Sequence, residues 1–285
     1  MKKILAVSGG IDSMVMLFLF KDDPDAVVAH FDHGIRESSA TDCAFVERMA
    51  KEYGKDFYFE RANLGQNCSE ESARAARYCF LRCLAKELNG KIYTAHHVDD
   101  ARESAIINLL RGTGWRGLAV LNNDEIERPL INWKKQAIYE CAARNNIRFR
   151  LDQTNSDEKY LRNRVREALR FVSDEQKYAL SSLIFRQREL AHEIDAELAS
   201  ISDEKYSRSL VNIDTNIASE ILRAILARQN ISLTRPQTKR AISAIRNYGI
   251  GKQFSLSKEK FITMGRYHFW ITGGKHDKIK EHENT

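Results

Sequence analysis

The chain has 285 residues, of which 43% are hydrophobic and 29% are charged, a composition typical of a soluble globular protein. It has no apolar run of 18 residues and no charged-then-apolar leader, and the first strand begins at residue 3, so we expect a cytoplasmic protein without a membrane partner. The net charge is +6, but residues 206–275 hold 12 Lys and Arg against 3 Asp and Glu, whereas the rest holds 33 against 36. This asymmetry predicts a polyanionic partner such as nucleic acid, with a solvated basic surface as the alternative.

The first half of the chain alternates strand-like and helix-like segments. Strands are predicted at residues 3–7, 26–31, 56–60 and 91–95, and helices at 13–20, 41–53, 70–88 and 101–110. This βαβα order predicts an α/β fold with a doubly wound, Rossmann-like parallel sheet. Ligands of such sheets bind beyond the carboxyl ends of the strands, near the switch in strand order. Polar clusters that follow three of the strands should therefore meet in one crevice.

The second half predicts a smaller α+β domain behind a long helix over residues 173–201. Helices are expected at 218–228 and 236–247, and short strands at 253–256, 260–264 and 267–272. We therefore divide the chain into a catalytic domain at 1–172, a helical linker at 173–205, a basic nucleic-acid-binding domain at 206–275 and a disordered tail at 276–285.

The first polar cluster is the loop Ser8-Gly9-Gly10-Ile11-Asp12-Ser13, between the first strand and the first helix. Its glycines permit a sharp turn and a close backbone approach, and the amides of the first helical turn form an anion-binding concavity. No Gly-x4-Gly-Lys-Ser/Thr motif is present, and no G-x-G-x-x-G follows the first strand, which argues against a P-loop enzyme and a dinucleotide enzyme. The loop therefore predicts a cradle for nucleotide phosphates, with an ordinary strand-turn-helix as the alternative.

Two further clusters carry carboxylates and histidines. Asp32-His33 and Arg36 follow the second strand, where Asp32 could bind Mg²⁺ through water and Arg36 could pair with a phosphate. His96, His97, Asp99 and Asp100 follow the fourth strand. There, Asp99 or Asp100 could hold Mg²⁺ against ATP, and His97 could donate to an α-phosphate oxygen or shuttle a proton. One of these carboxylates could instead cap the next helix.

Arginines form the remaining candidates. Arg74 and Arg77 lie three residues apart on one helical face, and Arg111 stands in the glycine-rich sequence Arg111-Gly112-Thr113-Gly114, a candidate phosphate contact. Arg162, Arg164 and Arg166 surround Asn163 and favour RNA as the partner, with a charged surface helix as the alternative.

Taken in chain order, these motifs resemble the tRNA(Ile)-lysidine synthetases, a family of N-type ATP pyrophosphatases of the PP-loop superfamily. The resemblance covers roughly residues 3 to 170 and departs from the family pattern at Ile11, Ala101 and Ser104, where Pro, Gln and Thr are usual. The motifs that carry it are Ser8 to Ser13, Asp32-His33-Gly34-Ile35-Arg36, Ala73-Arg74 with Arg77-Tyr78, Ala95-His96-His97 with Asp99-Asp100, Arg111-Gly112 with Gly114, Arg128-Pro129-Leu130, and 155–166.

The resemblance implies an adenine nucleotide α-hydrolase type of fold and a two-step reaction that uses ATP and Mg²⁺. The C2 oxygen of the wobble cytidine (C34) of the CAU-anticodon tRNA(Ile) attacks the ATP α-phosphate, and free L-lysine then displaces AMP. It also implies that residues 8–13, His33, Arg36 and Arg111 bind ATP, and that Asp100, then Asp32, are the first candidates for the essential carboxylate. Arg74, Arg77, Arg162, Arg164 and Arg166 would contact tRNA, and a homodimer is compatible with the family.

Three other interpretations remain open at this point. A tRNA thiolation enzyme would share the loop, but the five cysteines form no C-x2-C pair for a cluster or persulfide, and neither a disulfide framework nor a zinc site is indicated. An ammonia-fed, amide-forming ATP pyrophosphatase, such as an NAD or GMP synthetase, would act on a small acid and would not need the basic second domain. A catalytically silent tRNA-binding module would keep the fold without the reaction.

Overall fold

The structure is a computed structural model that describes residues 1–32, 34, 39–62, 70–150, 161–199, 205–229, 231–257 and 259–273. The chain divides into two compact units, Met1–Glu189 and Leu190–Thr285. The finer boundaries at 172/173, 205/206 and 275/276 stay predictions, and 276–285 lie outside the described residues. Among the helices of the described ranges, none is both long and apolar enough to cross a bilayer.

The first unit is built on a five-stranded parallel sheet of order β3-β2-β1-β4-β5. Its strands are β1 (Lys2–Ala6), β2 (Ala26–Asp32), β3 (Phe57–Arg61), β4 (Gly90–Tyr93) and β5 (Ile126–Glu127). Its helices are α1 (Ile11–Leu19), α2 (Ser39–Glu52), α3 (Glu70–Glu87), α4 (Val98–Leu110), α5 (Lys135–Arg144) and α6 (Leu161–Arg170), and α7 (Asp174–Ala199) contains the boundary between the units. The predicted doubly wound α/β fold is confirmed.

Helices cover both faces of this sheet because successive strand residues point to opposite sides. Leu5 lies in one core cluster with residues of α1, α2 and α5, whereas its neighbour Ile4 lies in another with Leu81 and Leu84 of α3. Both faces of β1 are therefore buried, as its continuous apolar run predicts.

The strand order places a topological switch between β1 and β4, which flank each other although five elements separate them along the chain. The loops that follow these two strands lead into α1 and α4. A crevice at this switch is where ligands of doubly wound sheets bind. The cluster after β1 and the cluster after β4 are thus brought to one place.

The sequence patterns do not predict two elements of the first unit, β5 and α5. β5 has only two residues and pairs with β4, and α5 has only two fully buried apolar positions, Ile138 and Ala142, four residues apart. Two residues are too few for a period-2 pattern, and one i, i+4 pair does not define an amphipathic helix.

The second unit packs two helices on an antiparallel sheet of order β6-β9-β8-β7. Its elements are β6 (Tyr206–Ser207), α8 (Thr215–Ala227), α9 (Arg235–Asn247), β7 (Gln253–Ser255), β8 (Lys260–Met264) and β9 (His268–Gly273). Asp214 caps α8 by accepting from the amides of Asn216 and Ile217, and β8 and β9 form a hairpin at Gly265. The small α+β arrangement is confirmed, with β6 as an unpredicted edge strand.

Candidate active site

The loop after β1 forms a turn that ends in the N-terminus of α1. Gly9 has φ +89°, in the left-handed region, and its carbonyl accepts from the Arg150 amide at 2.9 Å. Ser13 Oγ accepts from the Ser8 amide at 3.2 Å and donates to the Gly10 carbonyl at 2.9 Å. Gly10 caps α1 without a side-chain hydrogen bond, so the amides of the first turn are left to bind oxygens of a ligand.

The Asp12 carboxylate would repel an anion at the N-terminus of α1, and the Lys135 ammonium group neutralises that carboxylate. The Lys135 Nζ atom donates to both Asp12 carboxylate oxygens, at 2.5 and 2.7 Å. The Lys135 amide, at the start of α5, also donates to Asp99 Oδ2 at 2.9 Å. One residue therefore joins the loop after β1 to the loop after β4.

His97 lies buried between three carboxylates. Its Nε2 atom is 3.7 Å from Asp12 Oδ1 and 3.5 Å from Asp100 Oδ2, and its Nδ1 atom is 3.7 Å from Asp99 Oδ2. The buried Nδ1 atom has no hydrogen-bond partner in the part of the chain that the structure describes. The imidazole is thus placed to exchange a proton with a ligand or with a neighbouring carboxylate.

Asp99 and Asp100 differ in how far their oxygens are engaged. Asp99 accepts from Arg102 Nη1 at 2.6 Å through Oδ1 and from the Lys135 amide through Oδ2. Asp100 Oδ2 accepts from the His97 amide at 2.9 Å, as a helix cap does, and its Oδ1 has no partner among the described residues. Both oxygens of Asp99 thus accept a hydrogen bond from the protein, whereas Asp100 keeps one oxygen without a protein donor.

His96 lies half-buried beside this cluster, with its Nδ1 atom 2.8 Å from Thr94 Oγ1. Burial, together with the charges of Arg128, Arg77 and Arg74, lowers the pKa of His96 to about 4 against the opposing effect of Asp100. His96 is therefore neutral at physiological pH, between a group of carboxylates and a group of guanidiniums.

Asp32 is buried at the end of β2. Its Oδ1 atom accepts from the Gly34 amide at 2.8 Å, and its Oδ2 atom is 3.3 Å from Arg61 Nε. His33 and Arg36, which were predicted to bind ATP beside it, lie outside the described residues.

The predicted arginines are distributed over different parts of the first unit. Arg111 follows the C-terminus of α4, about 20 Å along that 13-residue helix from His97, and the structure does not bring it to the cradle. Arg166 forms two hydrogen bonds, at 2.7 and 3.1 Å, with the buried carboxylate of Glu103, and Arg162 Nε lies 3.9 Å from it. Arg164 lines an apolar cavity between α4 and α6 of about 300 Å³. Arg74 and Arg77 lie over the ring of Tyr78, at 5.2 and 5.4 Å.

Sequence reasoning assigned no role to Lys135, Arg102 or Glu103. Arg102 is buried and donates to Ser181 Oγ at 2.8 Å as well as to Asp99, which fixes the acidic cluster against α7. Arg102 and Glu103 stand directly after Asp99-Asp100, which is a local signal, but nothing near Lys135 in the sequence points to Asp12.

Within the described ranges, no group of three or more His, Cys, Asp or Glu side chains has the geometry of a metal site. The predicted absence of disulfides and cysteine clusters stays a prediction, although the described Cys43, Cys79, Cys83 and Cys141 are free thiols.

A parallel sheet with a glycine loop at its switch point, facing a histidine–carboxylate loop, defines a nucleotide-binding α/β protein of the pyrophosphatase-loop class. A family model described as a PP-loop domain, an ATP-binding domain, matches residues 1–171. The chain belongs to this PP-loop family, and the predicted use of ATP agrees with it.

Comparison with curated proteins and solved structures supports this placement. The tRNA(Ile)-lysidine synthase of Thermotoga maritima is 34% identical over 203 residues, which cover 66% of this chain and 49% of that protein. That of Pseudothermotoga lettingae is 29% identical over 269 residues, covering 86% and 60%. The U34-tRNA thiolase NcsA from Methanococcus maripaludis shares the fold, with a TM-score of 0.54 at 18% identity over 66% of this chain and 72% of that one.

The resemblance to tRNA(Ile)-lysidine synthetases that the motifs predicted is thus confirmed at the level of sequence similarity. The chain spans about half the length of the curated relatives that it matches first.

Proposed function

We propose that this protein is a tRNA(Ile)-lysidine synthetase, which joins free L-lysine to C2 of the wobble cytidine of the CAU-anticodon tRNA(Ile). The observation that carries the proposal is the convergence of the loop after β1 and the loop after β4, joined by Lys135 and by the contact of His97 with Asp12. An anion cradle beside a histidine and a free carboxylate oxygen is what activation of an oxygen nucleophile by ATP requires.

In the first step, the cytosine C2 oxygen attacks the ATP α-phosphate and pyrophosphate leaves. The Ser8 hydroxyl and the amides at the start of α1 bind the departing pyrophosphate, whose charge the helix dipole stabilises, and Ser13 Oγ holds the loop through the Gly10 carbonyl. His97, whose imidazole lies among Asp12, Asp99 and Asp100, donates to an α-phosphate oxygen, where negative charge develops.

In the second step, the lysine ε-amino group attacks C2, and AMP leaves. Asp100 offers the carboxylate oxygen that orients the amine, and a carboxylate or His97 accepts the proton that the new C–N bond releases. Asp32 is the second candidate for this carboxylate, although Gly34 and Arg61 engage both of its oxygens.

Each oxygen of Asp99 already accepts one hydrogen bond, whereas one oxygen of Asp100 accepts none among the described residues, so Asp100 would hold Mg²⁺ best. Mg²⁺ is commonly held by one or two carboxylates together with substrate phosphates, and it would supply charge neutralisation on those phosphates. We therefore place it at Asp100 rather than at Asp99.

The tRNA contacts predicted from the sequence separate into two groups. Arg162 and Arg166 lie against the Glu103 carboxylate, which neutralises part of their positive charge. The positive charge of α6 that remains is available to RNA. The second unit carries exposed cations on α9, at Arg235, Lys239 and Arg240, which suit the phosphates of a tRNA.

The test is incubation with ATP, radiolabelled lysine and the CAU-anticodon tRNA transcript, followed by mapping of the label. We expect label at C34 with the native chain and with Asp22→Asn, an exposed carboxylate of the first unit. Asp100→Ala and Ser8→Ala should each lose most of the incorporation. Release of pyrophosphate without RNA would point to an ammonia-fed amide-forming enzyme instead, and no release under any condition would point to a silent binding module.

A further inference from the structure

His30 is a buried polar side chain that the proposed chemistry does not use. It lies in β2 between Ala29 and Phe31 and is 5% exposed. Every other residue of this strand before Asp32 is apolar. A polar group buried in such a strand is costly unless it forms a hydrogen bond, so the bond that His30 makes indicates why a histidine stands here.

The partner of His30 is Val7, at which β1 ends and the glycine loop begins. The backbone pairing of β1 with β2 extends to the Val7 amide, which donates to the Ala29 carbonyl at 2.9 Å. The Val7 carbonyl oxygen lies 2.8 Å from His30 Nδ1. Because a carbonyl can only accept, Nδ1 carries a proton and donates it to this bond.

This hydrogen bond acts on one peptide group. The Val7 carbonyl and the Ser8 amide belong to the same planar peptide and point in opposite directions. The carbonyl accepts from His30, and the amide donates to Ser13 Oγ at 3.2 Å. The peptide group is therefore held from β2 on one side and from α1 on the other. Its orientation sets the direction in which the Ser8 side chain leaves the backbone at the entrance of the cradle.

The imidazole is itself held in place. Its ring stacks on that of Phe59, its partner in β3, with the ring centroids 6.1 Å apart and the planes inclined by 14°. Burial lowers the pKa of His30 against the opposing effects of the bond to Val7 and of the charges of Asp32 and Asp42. The ring is thus kept neutral, with its proton on Nδ1 and directed at the Val7 carbonyl.

We propose that His30 is a positioning residue for the phosphate cradle. It fixes the Val7–Ser8 peptide group in the orientation in which the Ser8 hydroxyl and the amides at the start of α1 bind the nucleotide phosphates. The inference deepens the proposed function and rests on it only in that the loop binds ATP. The hydrogen bond preorganises the cradle, so its loss weakens phosphate binding although every group of the cradle is retained.

The test measures ATP binding by isothermal titration calorimetry, with Mg²⁺ present and without tRNA or lysine. His30→Leu removes the donor, and His30→Asn keeps an N–H donor at the place of Nδ1. Val28→Ala, on the same face of β2, removes buried volume but no hydrogen bond of the loop. We expect the Kd for ATP to rise about 10-fold in His30→Leu, as loss of one hydrogen bond implies, and to stay within about 3-fold of the native value in His30→Asn and Val28→Ala.

Urea denaturation of the same variants separates positioning from folding. His30→Leu and Val28→Ala should both unfold at lower urea concentrations, since one leaves the Val7 carbonyl without its donor and the other creates a cavity. An unchanged Kd in His30→Leu overturns the proposal, as does an equal rise in His30→Leu and either of the other variants. If His30→Leu does not fold, His30→Gln takes its place, because its amide lies one carbon further from the backbone than Nδ1, and the same outcomes apply.

The complete reaction gives a further measurement. We expect His30→Leu to raise the KM for ATP and to leave the KM for lysine unchanged, and an equal rise in both overturns the positioning of the cradle. If ATP binding depends on His30 but no label reaches C34, the proposed reaction is contradicted and the positioning role stands.

Discussion

At the scale of single residues, Gly9 gives the first loop its shape. Its φ of +89° is accessible to glycine at little cost, and a Cβ atom there would lie 3.3 Å from Val46 Cγ2 and 3.6 Å from Phe45 Cδ1. We expect Gly9→Ala to lower the free energy of unfolding by about 1–3 kcal/mol and to weaken ATP binding. Gly112→Ala is the control, because Gly112 has φ +71° but open space around its Cβ position. Urea denaturation of both variants checks this, and equal losses would mean that crowding by α2 is unimportant.

His96 makes the stability of the folded protein depend on pH. Since its pKa falls from 6.5 to about 4 on folding, protonation favours the unfolded chain. His96 does not lower the free energy of unfolding above about pH 6.5. As the pH falls from there toward 4, the free energy of unfolding decreases by at most roughly 3 kcal/mol. His96→Gln should therefore flatten the loss of stability over this range, whereas His268→Gln, at an exposed position of β9, should not. Denaturation at a series of pH values measures the difference, and parallel curves would contradict it.

At the scale of elements, the Glu103–Arg166 pair fixes α6 to α4. Glu103 is 2% exposed, and its carboxylate raises the pKa of Arg166. Arg166→Ala leaves a buried carboxylate without its partner, which typically costs 3–5 kcal/mol, and the half-exposed position of Arg166 places our expectation at the lower end, about 3 kcal/mol. Arg170→Ala breaks an exposed pair with Glu167 on the same helix and should cost under about 1 kcal/mol.

Guanidinium denaturation of the two α6 variants would decide this prediction. The double variant Glu103→Gln with Arg166→Met should regain much of the lost stability, because neither buried charge remains. If Arg166→Ala and Arg170→Ala lose the same amount, Glu103 is compensated by another cation, for which Arg162 is the nearest candidate.

At the scale of the whole molecule, the uneven charge distribution predicts how RNA binding depends on salt. Lys239 and Arg240 are exposed on α9 of the basic second unit, and Lys51 is exposed on α2 of the nearly neutral first unit. Each phosphate contact contributes about 1 to the slope of log K against log salt concentration. The pair of changes Lys239→Gln and Arg240→Gln should lower the slope for tRNA by about 2, and Lys51→Gln should leave it unchanged. Filter binding at several salt concentrations measures the slopes, and an unaltered slope in the double variant removes α9 from the RNA interface.

Not every cation of the second unit is available to RNA. Arg246 donates to the carbonyls of Val211 and Ile213, and Arg208 donates to those of Gly265 and Tyr248. These two side chains hold loops of the unit together. A count of charges in the sequence therefore overstates the positive charge offered to a partner.

The sequence by itself determined the order of the first four strands and helices, the glycine turn after β1 and the presence of two histidines and two carboxylates after β4. These are local properties, since glycine turns and apolar periodicity act over a few residues. Sequence could not separate Asp99 from Asp100, because their difference lies in Arg102 and the Lys135 amide. It also did not show that Arg111 stands far from the cradle, at the other end of α4.

Only the tertiary structure decided which charges face each other. Lys135 meets Asp12 across 123 residues, and Arg166 meets Glu103 across 63. Packing of the sheet and its helices brings these residues together, and no pattern of neighbouring residues records such a distance. The local sequence thus determines the residue types at the nucleotide site, and the fold determines which of their charges are paired.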